Sequence, residues 1–165
     1  MYNIGTKIAA RSRLMFLVGN QQMLLDDKNR IRLPAKYREE LDTNKYLLMP
    51  GTDGCIFLYP ASEGNKMIAA ISDIDSPDPD ISELVRSLTE FAAKVEADSQ
   101  GRFMLPDDLM EICGIVKNVR IVGAISKVEI WSEEKYLERR KGQDLSAKGF
   151  NERYRKIHEA MSKKQ

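Results

Sequence analysis

The chain contains the same short motif twice, and an internal repeat constrains the architecture before any other feature does. The motif Asp-x-x-x-Arg-x-x-Leu-Pro occupies residues 26–34 and recurs at 98–106, with every position displaced by the same offset. Continuing that register over residues 26–51 gives seven identities in 26 positions, where background usage of about 6% per residue gives roughly one or two. Each unit of about 70 residues is too small to bury much apolar surface alone. We therefore expect two units that pair across a pseudo-twofold axis and share one core.

The composition is that of an ordinary soluble globular protein, with 42% hydrophobic and 31% charged residues in a chain of 165. No apolar run approaches the ~20 residues that a membrane helix needs, so no membrane span is expected. Residues 1–14 carry three basic side chains but lack the long apolar region and cleavage site of a signal peptide. They are predicted to form a flexible basic N-terminal extension.

Cysteine and histidine usage argues against a zinc site and against catalysis. Cys55 and Cys113 have no Cys-x-x-Cys spacing, and His158 is the only histidine, so no cluster of metal ligands is expected. The two cysteines are predicted to be reduced, buried, small apolar residues. His158 has no nucleophile beside it in sequence and lies in a Lys/Arg-rich segment, and there is no phosphate-binding glycine-rich loop. We expect no catalytic residue, no metal and no cofactor.

The net charge of +1 is distributed very unevenly. Residues 72–90 hold six acids and one arginine, whereas the tail 132–165 holds ten Lys or Arg and six acids. Residues 26–38 hold five basic side chains and two acids. Because polyanion binding depends on local potential, a total charge near zero does not exclude a nucleic-acid partner.

Apolar alternation and turn residues predict a mixed order of strands and helices in each copy. In the first copy we expect short strands around Met23–Leu25 and Ile31–Leu33 joined by a tight hairpin tip at 26–30, a helix at 34–41, strands at 46–49 and 55–59, and a helix at 62–71. A Pro-containing linker at 73–80 precedes a core-facing helix at 81–92. The second copy repeats the order, with a strand near Val95, a tip at 98–102, a helix to Cys113 and strands at 119–122 and 128–131. Phe150, Tyr154, Ile157 and Met161 predict a final amphipathic helix.

The repeated Asp-x-x-x-Arg motif admits two interpretations. In the first, each aspartate caps the turn amides and its arginine folds back onto it as an ion pair. In the second, the arginine projects from a rigid turn towards DNA, since a guanidinium can bind phosphate oxygens or the O6/N7 edge of guanine. The candidate DNA-binding residues are the basic side chains of the two motif segments: Lys28, Arg30, Arg32, Lys36, Arg38 and Arg102. The candidate turn residues are Asp26, Asn29, Asp98 and Gly101.

These segments resemble a known family. Leu-Asp-Asp-Lys-Asn-Arg-Ile-Arg-Leu-Pro-Ala-Lys-Tyr-Arg (25–38), Gly-x-x-Gly-Cys-Ile-Phe-Leu-Tyr-Pro (51–60) and Asp-Ser-Gln-Gly-Arg (98–102) are similar to the MraZ family of the SpoVT/AbrB-like swapped-hairpin superfamily. The resemblance covers essentially residues 15–140, including the duplication and the aromatic pair Tyr59/Trp131.

The resemblance implies a β-rich α+β fold: two tandem swapped-hairpin AbrB-like units forming an intramolecular pseudo-twofold barrel, with peripheral helices. The expected organisation is an extension at 1–14, a first unit at 15–71, a linker and helix at 72–92, a second unit at 93–140 and a helical tail at 141–165. The implied function is that of a cytoplasmic, nucleoid-associated transcription regulator of the cell-division and cell-wall gene cluster. It implies binding to double-stranded DNA, at direct repeats in its own promoter, by a ring-shaped homo-oligomer. A ring-forming protein scaffold without specific DNA binding is the alternative.

The chain departs from the family pattern in two places. Asn29 stands where glycine is usual, which is a mild change because asparagine also reaches positive φ. Asp107 and Asp108 stand opposite Ala35 and Lys36, so residues 98–110 hold one arginine against three aspartates. From these local charges the first tip is expected to contribute more phosphate affinity than the second.

Overall fold

The computed structural model describes residues 15–74 and 77–164, so the predicted extension at 1–14 lies outside the described residues. The elements in chain order are β1 (Asn20–Leu24), β2 (Arg30–Arg32), α1 (Ala35–Leu41), β3 (Lys45–Pro50), a 3-10 turn (Thr52–Gly54), β4 (Ile56–Pro60), α2 (Ala61–Ser72), α3 (Pro79–Glu90), β5 (Ala93–Glu96), β6 (Arg102–Met104), α4 (Asp107–Cys113), β7 (Asn118–Gly123), β8 (Val128–Ser132), α5 (Glu133–Lys141) and α6 (Ala147–Ser162). By compactness, as distinct from the sequence repeat, the chain divides into one part up to Glu133 and a second part from Glu134 onward. None of the described helices is both long and apolar enough to cross a membrane.

The duplication is visible in the backbone as well as in the sequence. α1 and α4, β2 and β6, and β4 and β8 each begin and end at equivalent positions of the two copies. Three pairs of equivalent residues also have positive φ: 55° and 78° at Asn29 and Gly101, 53° and 64° at Asp42 and Gly114, and 61° and 65° at Asp53 and Ile125. The predicted repeat is therefore confirmed at the level of individual dihedral angles.

The strands form one six-stranded sheet, in the order β1-β7-β8-β4-β3-β5, and one two-stranded ribbon of β2 and β6. All pairings are antiparallel, and several cross between the repeats: β1 pairs with β7, and β5 pairs with β3. β1 and β5 lie at the two ends of the described sheet order, so a closed barrel remains a prediction.

Two pairings join the repeats at equivalent residues. In the β4–β8 pair Phe57 lies opposite Glu129, and in the ribbon Ile31 lies opposite Phe103. In each pair the two residues occupy the same position of the two copies, because they are separated by the offset of the repeated motif. This register is what a twofold relation between the two halves requires.

The core is built where these pairings meet. Ile56, Leu58, Ile121, Val128 and Ile130 are fully buried on the six-stranded sheet. The ribbon adds Ile31 and Phe103, and Leu33 and Leu105 follow it as buried residues from both repeats. Both halves therefore contribute to a single apolar cluster, which buries more apolar surface than either small half could bury alone.

The structure corrects two expectations. Residues 26–30 form a tight turn, but β1 and β2 lie in different sheets and do not pair as a hairpin, because each finds its partner in the other repeat. α3 was expected to face the core, yet it contains no buried residue, and Leu84 is exposed. Its remaining apolar side chains are only half-buried. Helical spacing predicts that these side chains share one face of the helix, but it does not predict how deeply that face packs.

One further helix, α5, was not predicted. It begins at Glu133, the position equivalent to Ala61 at the start of α2, so it follows β8 in the chain as α2 follows β4. The signal was the repeat register itself, which predicts a helix after β8 once the helix after β4 is recognised. Its sequence is polar on almost every face, which is why apolar periodicity does not reveal it.

Gly123, the last residue of β7, is predicted to be required for the close approach of the backbone at Leu17. A Cβ atom on Gly123 would lie 2.5 Å from the carbonyl carbon of Leu17, and the Gly123 amide donates a 2.8 Å hydrogen bond to Gly19. Gly123→Ala should lower the unfolding free energy by about 1–3 kcal/mol because backbone cannot move aside. The control Gly142→Ala, where the nearest atom is 3.8 Å away, should change stability by less than about 0.5 kcal/mol in urea titrations. Equal effects would contradict the steric argument.

Ile125 is predicted to be a strained residue. Its φ of 65° is unusual for a β-branched side chain, whereas its repeat equivalent is Asp53, which tolerates this region. Ile125→Asn should raise the unfolding free energy by about 1 kcal/mol by relieving the strain. Val116→Asn, at a second exposed apolar residue without positive φ, controls for the change in polarity and should be near neutral. A neutral or destabilising Ile125→Asn would show that the strain is absorbed elsewhere.

Candidate nucleic-acid interface

The first loop, residues 26–30, is organised around one carboxylate. Oδ1 of Asp26 accepts hydrogen bonds from the backbone amides of Lys28 and Arg30, both at 2.9 Å. Oδ2 accepts a 2.7 Å hydrogen bond from Nε of Arg30. The Asp26 amide donates to the Arg30 carbonyl at 3.0 Å and closes the loop. A single aspartate thus fixes both the turn and the direction of the arginine.

The second loop, residues 98–102, repeats this arrangement closely. Oδ1 of Asp98 accepts from the amides of Gln100 and Arg102 at 2.9 and 3.0 Å, and Oδ2 accepts from Nε of Arg102 at 3.0 Å. The Asp98 amide donates to the Arg102 carbonyl at 2.9 Å. The interpretation of the motif as a turn ion pair is therefore correct for both copies.

The positive-φ position explains which residues the loops accept. Asn29 and Gly101 each sit one residue before the motif arginine in the left-handed region. Asparagine reaches this region more readily than most side chains, so the departure from glycine in the first loop leaves the turn unchanged.

The ion pair leaves the outer end of each guanidinium available. The Arg30 and Arg102 side chains remain 31% and 35% exposed. Within residues 15–74 and 77–164, each is bonded to its aspartate through Nε, and their Nη groups have no hydrogen-bond partner. Because Arg carries its donors in a rigid fork, fixing Nε also fixes the direction in which the Nη donors point. Holding the turn and presenting a cation are thus compatible roles.

The two motif arginines lie on one face of the β2–β6 ribbon. Alternation along the strands buries Ile31 and Phe103, so the opposite face carries the side chains of positions 30, 32, 102 and 104. The register places Arg32 opposite Arg102 and Arg30 opposite Met104, which is 58% exposed. Met104 is a residue of this face that charge patterning alone did not indicate, although strand alternation and the repeat offset together identify it.

The remaining basic candidates take different positions. Lys28 is exposed on the first loop. Lys36 is exposed on α1, with its Nζ 4.8 Å from the centroid of the Tyr37 ring. Arg38 is half-buried and donates from Nε to the Leu33 carbonyl at 3.0 Å. The structure thus brings Arg30, Arg32 and Arg102 onto the ribbon, while Lys36 and Arg38 project from the helix that follows.

No other chemical site emerges from the described residues. Within them, no group of three or more His, Cys, Asp and Glu side chains is placed to hold a metal ion. Cys55 and Cys113 are both buried, as the sequence predicts, and burial raises the pKa of the Cys55 thiol to about 12. A thiol with such a pKa is protonated at neutral pH and is a poor nucleophile.

The loop carboxylates are predicted to titrate below their ordinary range. The backbone hydrogen bonds from Arg30 and Arg102, more than any other interaction, hold the pKa of Asp26 and of Asp98 below the ordinary value of 3.8. A carboxyl group with a lowered folded-state pKa contributes stability above its unfolded-state pKa and loses it as pH falls through the folded value. Both loops should therefore keep their geometry between about pH 7 and pH 5 and open only below about pH 4. Carboxyl-carbon NMR titrations would test this, and a midpoint at or above 3.8 would contradict it.

Comparison of the sequence with known proteins identifies the family of this chain. The model of the family described as "MraZ protein, putative antitoxin-like" matches residues 16–86 and again 89–154, one match for each repeat. A transcriptional regulator MraZ from Syntrophomonas wolfei is 42% identical over 122 residues, covering 74% of this chain and 84% of the relative. One from Clostridium beijerinckii is 40% identical over 121 residues, covering 73% and 84% respectively. One from Acetivibrio thermocellus is 34% identical over 135 residues, covering 82% and 94%. With both repeats matched and most of each relative covered, the chain belongs to the MraZ family.

Proposed function

We propose that this chain is a DNA-binding transcription regulator that contacts double-stranded DNA through the β2–β6 ribbon and its two loops. The observation that carries the proposal is the pair of aspartate-held arginines, whose free Nη groups share one face of a two-stranded ribbon with Arg32. The family relatives are named as transcriptional regulators, which agrees with this use of the ribbon.

The geometry suits DNA for a physical reason. A two-stranded antiparallel ribbon fits the major groove, where an arginine fork can pair with guanine or bind the adjacent phosphates. Rigid presentation lowers the conformational entropy lost on binding, because the side chain is already ordered by its aspartate. The exposed Lys28 and Lys36 add sequence-independent attraction to the backbone.

The finer part of the proposal concerns assembly and target. We propose that the crossed strand pairings belong to a swapped-hairpin barrel, and that copies of the chain form a ring carrying many ribbons. Such a ring would bind direct repeats in the chain's own promoter, within the cell-division and cell-wall gene cluster, as a cytoplasmic protein associated with the nucleoid. The proposed division of the chain is an extension at 1–14, units at 15–71 and 93–140 separated by 72–92, and a tail at 141–165. No cofactor or catalytic step enters this function.

A ring-forming scaffold that binds protein instead of DNA is the second candidate. One observation favours it: the apolar stripe of α6, formed by Phe150, Tyr154, Ile157 and Met161, is exposed. An apolar protein interface and a phosphate interface differ in their response to salt, so the two functions can be separated by experiment.

Arg30→Ala is predicted to weaken DNA binding strongly. Fluorescence anisotropy with the DNA upstream of the chain's own gene, beside scrambled DNA, should show sequence preference and a large loss of affinity between about 50 and 200 mM salt. Arg30→Ala should reduce affinity about tenfold, because a charge-assisted contact is lost. Arg86→Ala removes the same charge from α3, outside the ribbon, and should have little effect. Binding that is absent, or indifferent to Arg30, would favour the scaffold.

A further inference from the structure

The helix of one repeat lies against the loop of the other. Arg38 belongs to α1 of the first repeat, yet a Cβ atom on Gly101 in the second loop would lie 2.7 Å from Arg38 Cδ and 3.1 Å from Nη1. The Nε group of Arg38 is anchored on the Leu33 carbonyl at 3.0 Å, so its position beside the second loop is fixed. Because Gly101 has no side chain, the guanidinium can approach the loop backbone directly.

A second arginine from the first repeat reaches the same loop through the ribbon. Arg32 lies directly opposite Arg102 in the β2–β6 register. Like charges directly opposite each other on antiparallel strands repel, and an anion placed between them removes the repulsion. The second loop, which carries Arg102, thus has two arginines of the first repeat as neighbours: Arg38 against Gly101 and Arg32 opposite Arg102.

The first loop receives no cation from the other repeat. The positions equivalent to Arg32 and Arg38 are Met104 and Met110, so neither ribbon partner nor helix supplies a cation. Leu105 donates its amide to the Asn29 carbonyl at 3.0 Å, and α4 begins two residues later with Asp107 and Asp108. The crossing thus places the helix that carries Arg38 beside the second loop, and the chain leading into the acidic α4 beside the first.

We propose that Arg32, Arg38 and Arg102 form one composite phosphate-binding subsite at the second loop. The inference rests on the proposed function, since the phosphate is one of the DNA backbone. It reverses the order of the two loops expected from local sequence charge: the second loop, which is acidic in its own segment, makes the stronger phosphate contact. Forked guanidinium donors match the geometry of phosphate oxygens, and several of them can bind a single phosphate.

The test is a double-mutant cycle on DNA affinity. Arg38→Met, which installs the residue found at the equivalent position of the second repeat, and Arg102→Ala should each weaken binding about tenfold. Because both act on one phosphate, the double variant should lose much less than the hundredfold expected of independent sites. The slope of log affinity against log salt should fall by about 0.9, one phosphate contact, in the single and double variants alike.

Matched variants separate this subsite from the first loop and from a structural role for Arg38. Arg30→Ala combined with Arg38→Met should multiply the two losses, and Arg102→Ala should cost at least as much affinity as Arg30→Ala. Arg38→Lys keeps the charge without the fork, so it should recover most of the salt slope lost in Arg38→Met. Thermal unfolding of each variant reports whether loss of the Leu33 hydrogen bond disturbs the fold.

The possible failures are distinct. If the wild type binds DNA but Arg38→Met has no effect, or its loss multiplies fully with that of Arg102→Ala, the composite subsite is wrong and the proposed function stands. If Arg38→Lys behaves as Arg38→Met in affinity, salt slope and thermal stability, Arg38 is only a structural contact and the subsite is again wrong. If the wild type shows no salt-sensitive DNA binding, both the subsite and the proposed function fall.

Discussion

The pairing of the two repeats is the interaction on which the rest of the structure depends. β4 pairs with β8 and β2 pairs with β6 at equivalent residues, so one relation between the halves places both the core and the ribbon. Each half is too small to bury much apolar surface alone, and the crossed strands β1 and β5 tie each half to the other. Unfolding one repeat therefore exposes the core face of its partner, and the basic face of the ribbon exists only while the halves remain joined.

In the proposed function, the stability of each loop and its binding of DNA depend on the same atoms. Each motif aspartate accepts two backbone amides and one arginine Nε, which keeps the turn closed and the carboxylate ionised. The arginine is directed outward by the same bond that neutralises part of its charge. The attraction to a polyanion then comes from the surrounding cations, and the loop mainly contributes a fixed direction. The ion pair and the proposed binding role of the arginine do not exclude each other, because the ion pair fixes the direction of the side chain that would bind.

The sequence predicts most local structure because local rules govern it. The helix after Pro34, the strand from Ile56 and the duplicated turns all follow from spacing and turn chemistry, and the repeat offset extends them to the second half. The partners of the strands are not predictable in this way. Asp26–Arg30 has the turn residues of a hairpin, but β1 pairs with β7 and β2 pairs with β6, both in the other repeat. The burial of α3 likewise depends on the elements that it packs against. The helical spacing of its apolar residues includes Leu84 and does not reveal that this side chain is exposed.

The same distinction governs the electrostatics. Charges counted along a segment describe the surface only when the segment folds on itself, and these repeats fold on each other. Arg38 and Gly101 belong to different repeats and yet lie against each other, while the chain leading into the acidic α4 bonds to Asn29. Because elements of each repeat lie against the loop of the other, a substitution in one copy changes the surroundings of the other copy's loop. Two duplicated loops can then diverge in charge while both keep the aspartate and arginine that hold their shape.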